Sequence, residues 1–148
     1  MRKSNFLVAL VTLVLFSFAA CKKDPPTVTE LLTGHAWKIL DKKKNGTAIT
    51  VDDCDTDDVY TYVTGGNLTI NYGTKKCMSS EPAALNGNWQ LINGDTGIKT
   101  TYSIGTLSGE ITYTIDELTA TKLVVTYTAL EGIGKTATYQ VTFDTYKK

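Results

Sequence analysis

The chain has one histidine, three prolines, two methionines and three cysteines in 148 residues, and its 15 Lys+Arg are balanced by 15 Asp+Glu. Each scarcity removes a class of function. A nucleic-acid binder carries a basic excess or a basic stripe, and neither is present, so no nucleic-acid partner is expected. No apolar run reaches the roughly 20 residues that a membrane-spanning helix needs. The longest, from Phe6 to Ala20, is shorter and sits at the N-terminus. The lone histidine, His35, has no nucleophile at a recognisable spacing and lies beside a helix stop, which makes it a cap or surface residue. No acid, base and nucleophile set can be assembled, so neither catalysis nor a cofactor is expected. Glu110 and Glu117 offer only a remote glycosidase-like carboxylate couple, whose separation the sequence does not fix.

What is present begins with a leader. Met1-Arg2-Lys3 is a positive n-region, Phe6 to Phe16 an apolar h-region, and Ser17-Phe18-Ala19-Ala20 a small-residue approach to cleavage. Cys21 follows directly, as a lipobox requires if its thiol is to take a diacylglyceryl group. Residues 1–20 are therefore read as a lipoprotein signal peptide and residues 21–27 as a lipidated cysteine with a tether. Two or three acyl chains on Cys21 would anchor stably, at about 0.8 kcal/mol per buried CH₂. Pro25-Pro26 keep the tether extended. The expected location is the outer membrane, on its periplasmic or cell-surface face.

With Cys21 assigned to lipid, Cys54 and Cys77 form an even pair in an oxidising compartment and are expected to be a disulfide. Two free thiols or a metal pair is the alternative. Between Asp52 and Asp58 lie five carboxylates around Cys54. Asp53, Asp55 and Asp57 match the first three ligand positions of a calcium loop. The match then fails, because Asp58 stands where a Gly is wanted and Thr64 where a bidentate Glu is wanted. No metal site is assigned, and the segment reads as a solvated acidic loop. Lys22-Lys23 and Lys42-Lys43-Lys44 read as solvated basic runs.

From Trp37 onward apolar and aromatic residues alternate with Thr, Lys, Gln or Asp, and Gly or Asn clusters cut the pattern every eight to twelve residues. That is the signature of an all-β domain spanning residues 28–148. Eight segments emerge, centred on Trp37/Ile39, Ile49/Val51, Tyr60/Tyr62, Leu68/Ile70/Tyr72, Trp89/Leu91, Ile111/Tyr113/Ile115, Leu123/Val125/Tyr127 and Tyr139/Val141/Phe143. Thr100 to Ile104 is a candidate ninth. Asn45-Gly46, Gly65-Gly66-Asn67 and Gly94-Asp95 supply hairpin turns, so successive strands should pair in order. A closed antiparallel up-and-down barrel satisfies this pattern and removes exposed edges; a two-sheet sandwich also fits. Thr27-Val28-Thr29-Glu30 has capping-box spacing and leads into Leu31-Leu32, predicting a short N-terminal helical turn stopped at Gly34.

Taken together, Leu31-Leu32-Thr33-Gly34-His35-Ala36-Trp37, then Cys54 with Asp57-Asp58-Val59-Tyr60-Thr61-Tyr62, then Cys77 and Gly87-Asn88-Trp89-Gln90-Leu91, resemble the lipocalin-like domain lipoproteins of Bacteroides-related Gram-negative bacteria. The resemblance spans about residues 28–146. It implies a small eight-stranded antiparallel barrel on an exported lipid anchor, with no agreed ligand and hence no binding residues to carry over. One departure is the opening Gly34-His35-Ala36-Trp37, a residue longer than the family's Gly-x-Trp.

The aromatic residues leave two readings open. Trp37, Tyr60, Tyr62, Trp89, Tyr113, Tyr127 and Tyr139 can line a ligand cavity, or they can fill a barrel whose interior is just wide enough for its own side chains. The expected function is a non-enzymatic, lipid-anchored, lipocalin-like protein that binds a small hydrophobic or amphipathic ligand. The alternative is a structural or inhibitory module that meets an envelope protein through loops such as Thr74 to Leu85.

Overall fold

The computed structural model describes residues 24–104 and 107–146. The leader and Cys21 lie outside these residues. Helix α1 (Val28–Thr33) opens the domain as its capping box predicts. The Thr27 hydroxyl accepts from the Glu30 N–H at 3.2 Å, and the Glu30 carboxylate accepts from the Thr27 N–H at 2.7 Å. Two otherwise orphaned helix-end donors are satisfied reciprocally, which lets a helix of six residues hold its shape.

Nine strands follow: β1 (Ala36–Lys44), β2 (Thr47–Ile49), β3 (Val59–Val63), β4 (Asn67–Asn71), β5 (Ala84–Ile92), β6 (Gly97–Ile104), β7 (Leu107–Leu118), β8 (Lys122–Leu130) and β9 (Thr136–Tyr146). All pair antiparallel, β3 to β9 in sequence order, and β1 closes the sheet by pairing with both β3 and β9. The domain is thus an eight-stranded up-and-down barrel of β1 and β3 to β9, not a sandwich. Two segments differ from the sequence expectation. Ile49/Val51 is no wall strand, because β2 is short, fully exposed and pairs only with the far half of β1. The eighth wall strand is instead β6, which extends the candidate Thr100 to Ile104 back to Gly97.

Tight connections explain the sequential order. Asn45 and Gly46 take φ of 49° and 81°, and Asn93, Gly94 and Asp95 take 54°, 64° and 68°. These left-handed conformations suit the twist of a two-strand connection, and Asn, Asp and Gly tolerate them best.

The seam around β1 is uneven. Its β9 side is paired along its length, from Ala36↔Tyr146 to Lys44↔Tyr139. Its β3 side is paired only at Ala36↔Thr61 and Trp37↔Tyr60, after which β1 diverges toward β2. A bulge between Ile39 and Asp41 shifts the register against β9. The extra residue, Leu40, is left 64% exposed, and the inward-facing set beyond it changes parity, so that Lys42 rather than Asp41 or Lys43 follows Ile39 into the barrel.

One end of the barrel is plugged. Helix α1 packs across it against β3 and β7, and Leu32 and Trp37 are fully buried there with Ile98, Leu123 and Trp89 close to it. Both indoles satisfy their N–H groups on backbone. Trp37 donates to the Leu32 carbonyl at 2.9 Å, and Trp89 donates to the Val63 carbonyl at 3.0 Å. The first of these bonds ties helix to barrel. We predict that Trp37→Phe, which loses that bond and part of the buried ring, lowers unfolding free energy by about 2 kcal/mol in urea denaturation.

Candidate functional site

At the end opposite α1 the barrel is open. The loops that frame this mouth are the β1–β2 hairpin, the acidic segment 52–58, the β4–β5 loop and the β8–β9 loop. Below it lies a cavity of about 360 Å³, within the size range of small-molecule sites. Its wall mixes aliphatic side chains, among them Leu68, Ile70, Leu85 and Ile111, with the rings of Tyr60, Tyr72, Tyr102 and Tyr127.

Small residues keep the space open. Gly87 and Gly109 stand directly across from Tyr102 on its two neighbouring strands. A Cβ at Gly109 would collide with the Tyr102 ring, and one at Gly87 with the Thr101 carbonyl. The ring therefore lies flat along the wall over Gly109 instead of crossing the lumen. Thr100, also inward, is buried and smaller than the leucine that would fill its place.

Of the aromatics singled out from sequence, Tyr60, Tyr62, Tyr113 and Tyr127 line this cavity. Burial pushes the hydroxyls of Tyr60, Tyr62 and Tyr113 well up, so they stay neutral donors at any physiological pH. Trp37 and Trp89 do not line it; they belong to the plugged end, where the helix and the β3–β4 turn draw their indoles. Tyr139 stands at the rim, stacked on Tyr127, its hydroxyl donating to Glu131, which also holds Lys44 at 2.6 Å. Both earlier readings of the interior therefore apply, each to its own half: filled core beneath the helix, cavity beneath the mouth.

Sequence reasoning missed Tyr72 and Tyr102 as wall residues, although the period-two pattern placed Tyr72 on the same face as Ile70. It also missed Lys42. The bulge at Leu40 turns Lys42 inward, where its side chain is 16% exposed and pairs at 2.5 Å with Asp55, itself 22% exposed. Asp52 lies 4.0 Å away. The run Lys42-Lys43-Lys44 is therefore not a uniformly solvated face.

Nor is the acidic segment a plain solvated loop. A 3-10 turn at Asp53–Asp55 sets Asp55 against Lys42 and carries Cys54 to its disulfide with Cys77. That bond is the pairing expected from sequence. Cys54, Asp55 and Cys77 have ligand-type atoms clustered together, but sulfurs bonded to each other offer no thiolate for a metal. Asp57 organises the β4–β5 loop: one oxygen accepts from the Thr74 N–H at 2.6 Å, the Thr74 hydroxyl at 3.1 Å and the Lys75 N–H at 3.2 Å. These donors, the Thr74 amide first, hold its carboxyl below the ordinary value.

Asp58 has the opposite environment. It is 3% exposed, receives a backbone bond from Gly73, and has one oxygen with no hydrogen-bond partner. Burial, and then the neighbouring Asp55, raise its carboxyl to about 6. His35 is exposed and makes an edge-on ring contact with Trp37. Glu110 and Glu117 are each engaged by a lysine on the barrel surface, Lys99 and Lys122, and share no site.

Because folding raises the Asp58 value above the ordinary 3.8, the stabilisation linked to its acid form is complete below about pH 3.8 and is lost as pH rises through about 6. Asp58→Asn should match the parent protein in urea midpoint at pH 3.5 and exceed it at pH 7.5. The expected gain at pH 7.5 is about 1–2 kcal/mol, reduced from the full shift by water screening at the mouth.

No protein-family model matches this chain, and no curated protein matches it. Among solved structures, two crystal structures of LTBP1 in complex with leukotriene C4, one of them of a point mutant, share its fold. In each case identity is 10% and the TM-score 0.55, with 82% of this chain and 71% of the LTBP1 chain covered. The architecture of this domain is therefore that of a lipocalin-like barrel.

Proposed function

We propose that the protein is an exported, lipid-anchored binding protein that takes a small hydrophobic or amphipathic ligand into the mouth-side half of its barrel. The observation that carries this reading is the cavity of about 360 Å³, lined by aliphatic side chains and tyrosine rings, beneath an open end. A filled core would not leave such a volume in a barrel of eight strands. The LTBP1 structures support it as fold-mates that hold leukotriene C4. Export and anchoring rest on the leader and on Cys21, and the resemblance of the residues quoted above to the lipocalin-like domain lipoproteins supports the same reading.

A second reading, contact with an envelope protein through the Thr74 to Leu85 loop, has one observation in its favour: Met78 stands 64% exposed on a loop stapled by Cys77. Deletion of residues 79–84 that leaves partner capture unchanged would count against it.

Two outcomes are expected. Dodecanol should bind with one-to-one stoichiometry by titration calorimetry, and Ile70→Trp, which fills the lumen, should weaken it at least about tenfold. No heat with dodecanol, or an unaltered affinity in the variant, overturns the cavity reading. Cys21→Ser should abolish metabolic labelling by radioactive palmitate and release the protein from the membrane fraction; retained label overturns the anchor.

A further inference from the structure

We infer that the ligand of this barrel carries an uncharged polar end, such as a hydroxyl, and that the ion pair of Lys42 and Asp55 in the cavity wall receives it and selects against charged heads. The inference rests on the ligand-binding reading and adds the class of head group.

Lys42 reaches the lumen through a break in strand alternation. Ile39 pairs with Phe143 and Lys42 with Val141, and all four line the cavity. In an unbroken strand Asp41 would stand across from Val141; the bulge puts the lysine there instead. Asp55 arrives from the other side of the seam, on the 3-10 turn at Asp53–Asp55. Lys42 and Asp55 are the charged members of the lining, and the rest of it is aliphatic, aromatic, glycine or threonine. They meet at 2.5 Å, with side chains 16% and 22% exposed. The wall therefore carries one cation and one anion, each answered by the other.

That balance decides which heads fit. A carboxylate that takes Lys42 leaves Asp55 without its counter-ion, and an ammonium that takes Asp55 leaves Lys42 without one. Either exchange strands a largely buried charge. Neighbouring charges are poor substitutes: Asp52 lies 4.0 Å from Lys42 but is 76% exposed, Lys75 pairs with Asp53, and Lys44 pairs with Glu131. An uncharged hydroxyl breaks nothing. The pair uses one ammonium hydrogen and one carboxylate oxygen, so a hydroxyl can accept from Lys42 and donate to Asp55, both in charge-assisted bonds. The hydroxyls of Tyr60, Tyr62 and Tyr113, held neutral by burial, extend the same uncharged chemistry along the wall.

The test ranks dodecanol, dodecanoate and dodecylammonium by titration calorimetry on the purified protein at pH 7.5, each at a concentration where it is monomeric. The unmodified protein should bind dodecanol at least about tenfold tighter than either charged probe. Asp55→Asn, which frees Lys42, should raise dodecanoate affinity at least about tenfold and leave dodecylammonium weak; Lys42→Gln, which frees Asp55, should do the reverse. A pair that only stapled the turn would not give opposite swings, because loosening the mouth affects all three probes alike. A charged probe that binds the unmodified protein as tightly as dodecanol, or a folded variant that keeps the parent ranking, overturns the head-group inference and leaves the binding reading standing. Failure of all three probes on the unmodified protein overturns both. The ranking on the unmodified protein decides the matter even if a variant does not fold.

Discussion

The closure of β1 onto β9 is the constraint on which the rest of this molecule depends. Without it the sheet would have two long edges and a single wet face; with it, alternate side chains of eight strands are committed to one interior. The bulge at Leu40 sits within that closure and decides what the interior contains. One inserted residue moves the parity of β1, exposes a leucine, and brings the Lys42 ammonium into a mouth otherwise dominated by tyrosine. Lys42 then holds Asp55, and with it the turn that carries Cys54, across the gap where β1 and β3 no longer pair. A local backbone irregularity thus sets the electrostatics of the opening.

The interior that results has two unlike halves. Toward α1, indoles and aliphatic side chains form the buried core, and each indole N–H donates to a backbone carbonyl. Toward the mouth, glycines opposite Tyr102 and a threonine at position 100 withhold the volume that would complete the packing. The first half holds the barrel together, and the second is free to be shaped for a guest. Neutral tyrosine hydroxyls suit that second role, since they form hydrogen bonds without the desolvation cost of a charge.

Local chemistry was legible in the sequence wherever one short motif determines the outcome. The capping box at Thr27 and Glu30, the turn at Asn45-Gly46 and the pairing of Cys54 with Cys77 all follow from composition and spacing, and so does the all-β class. What escaped depends on contacts between distant segments. The inward turn of Lys42 comes from a bulge that a one-residue change of period hides within Ile39-Leu40-Asp41-Lys42. The burial of Asp58 comes from the β4–β5 loop folding over it, which a run of aspartates gives no reason to expect. Trp37 and Trp89 alternate as faithfully as the cavity tyrosines, and alternation gives the face of a residue but not its height in the barrel. That height separates plug from cavity. Ile49 and Val51 failed for a related reason: their pattern suits a strand, but β1 has no room for them on the barrel wall.

The chain reaches α1 at the plugged end, so whatever lies upstream of Thr27 is attached to the face of the domain remote from the mouth. Strands of about nine residues tilted in a barrel wall set the two ends roughly 20–25 Å apart. A barrel held by its N-terminus therefore turns its opening away from the surface that holds it, like a cup standing on its base. In that arrangement exchange through the opening would be with the surrounding space, and a surface beneath the base would have no direct route to the lumen.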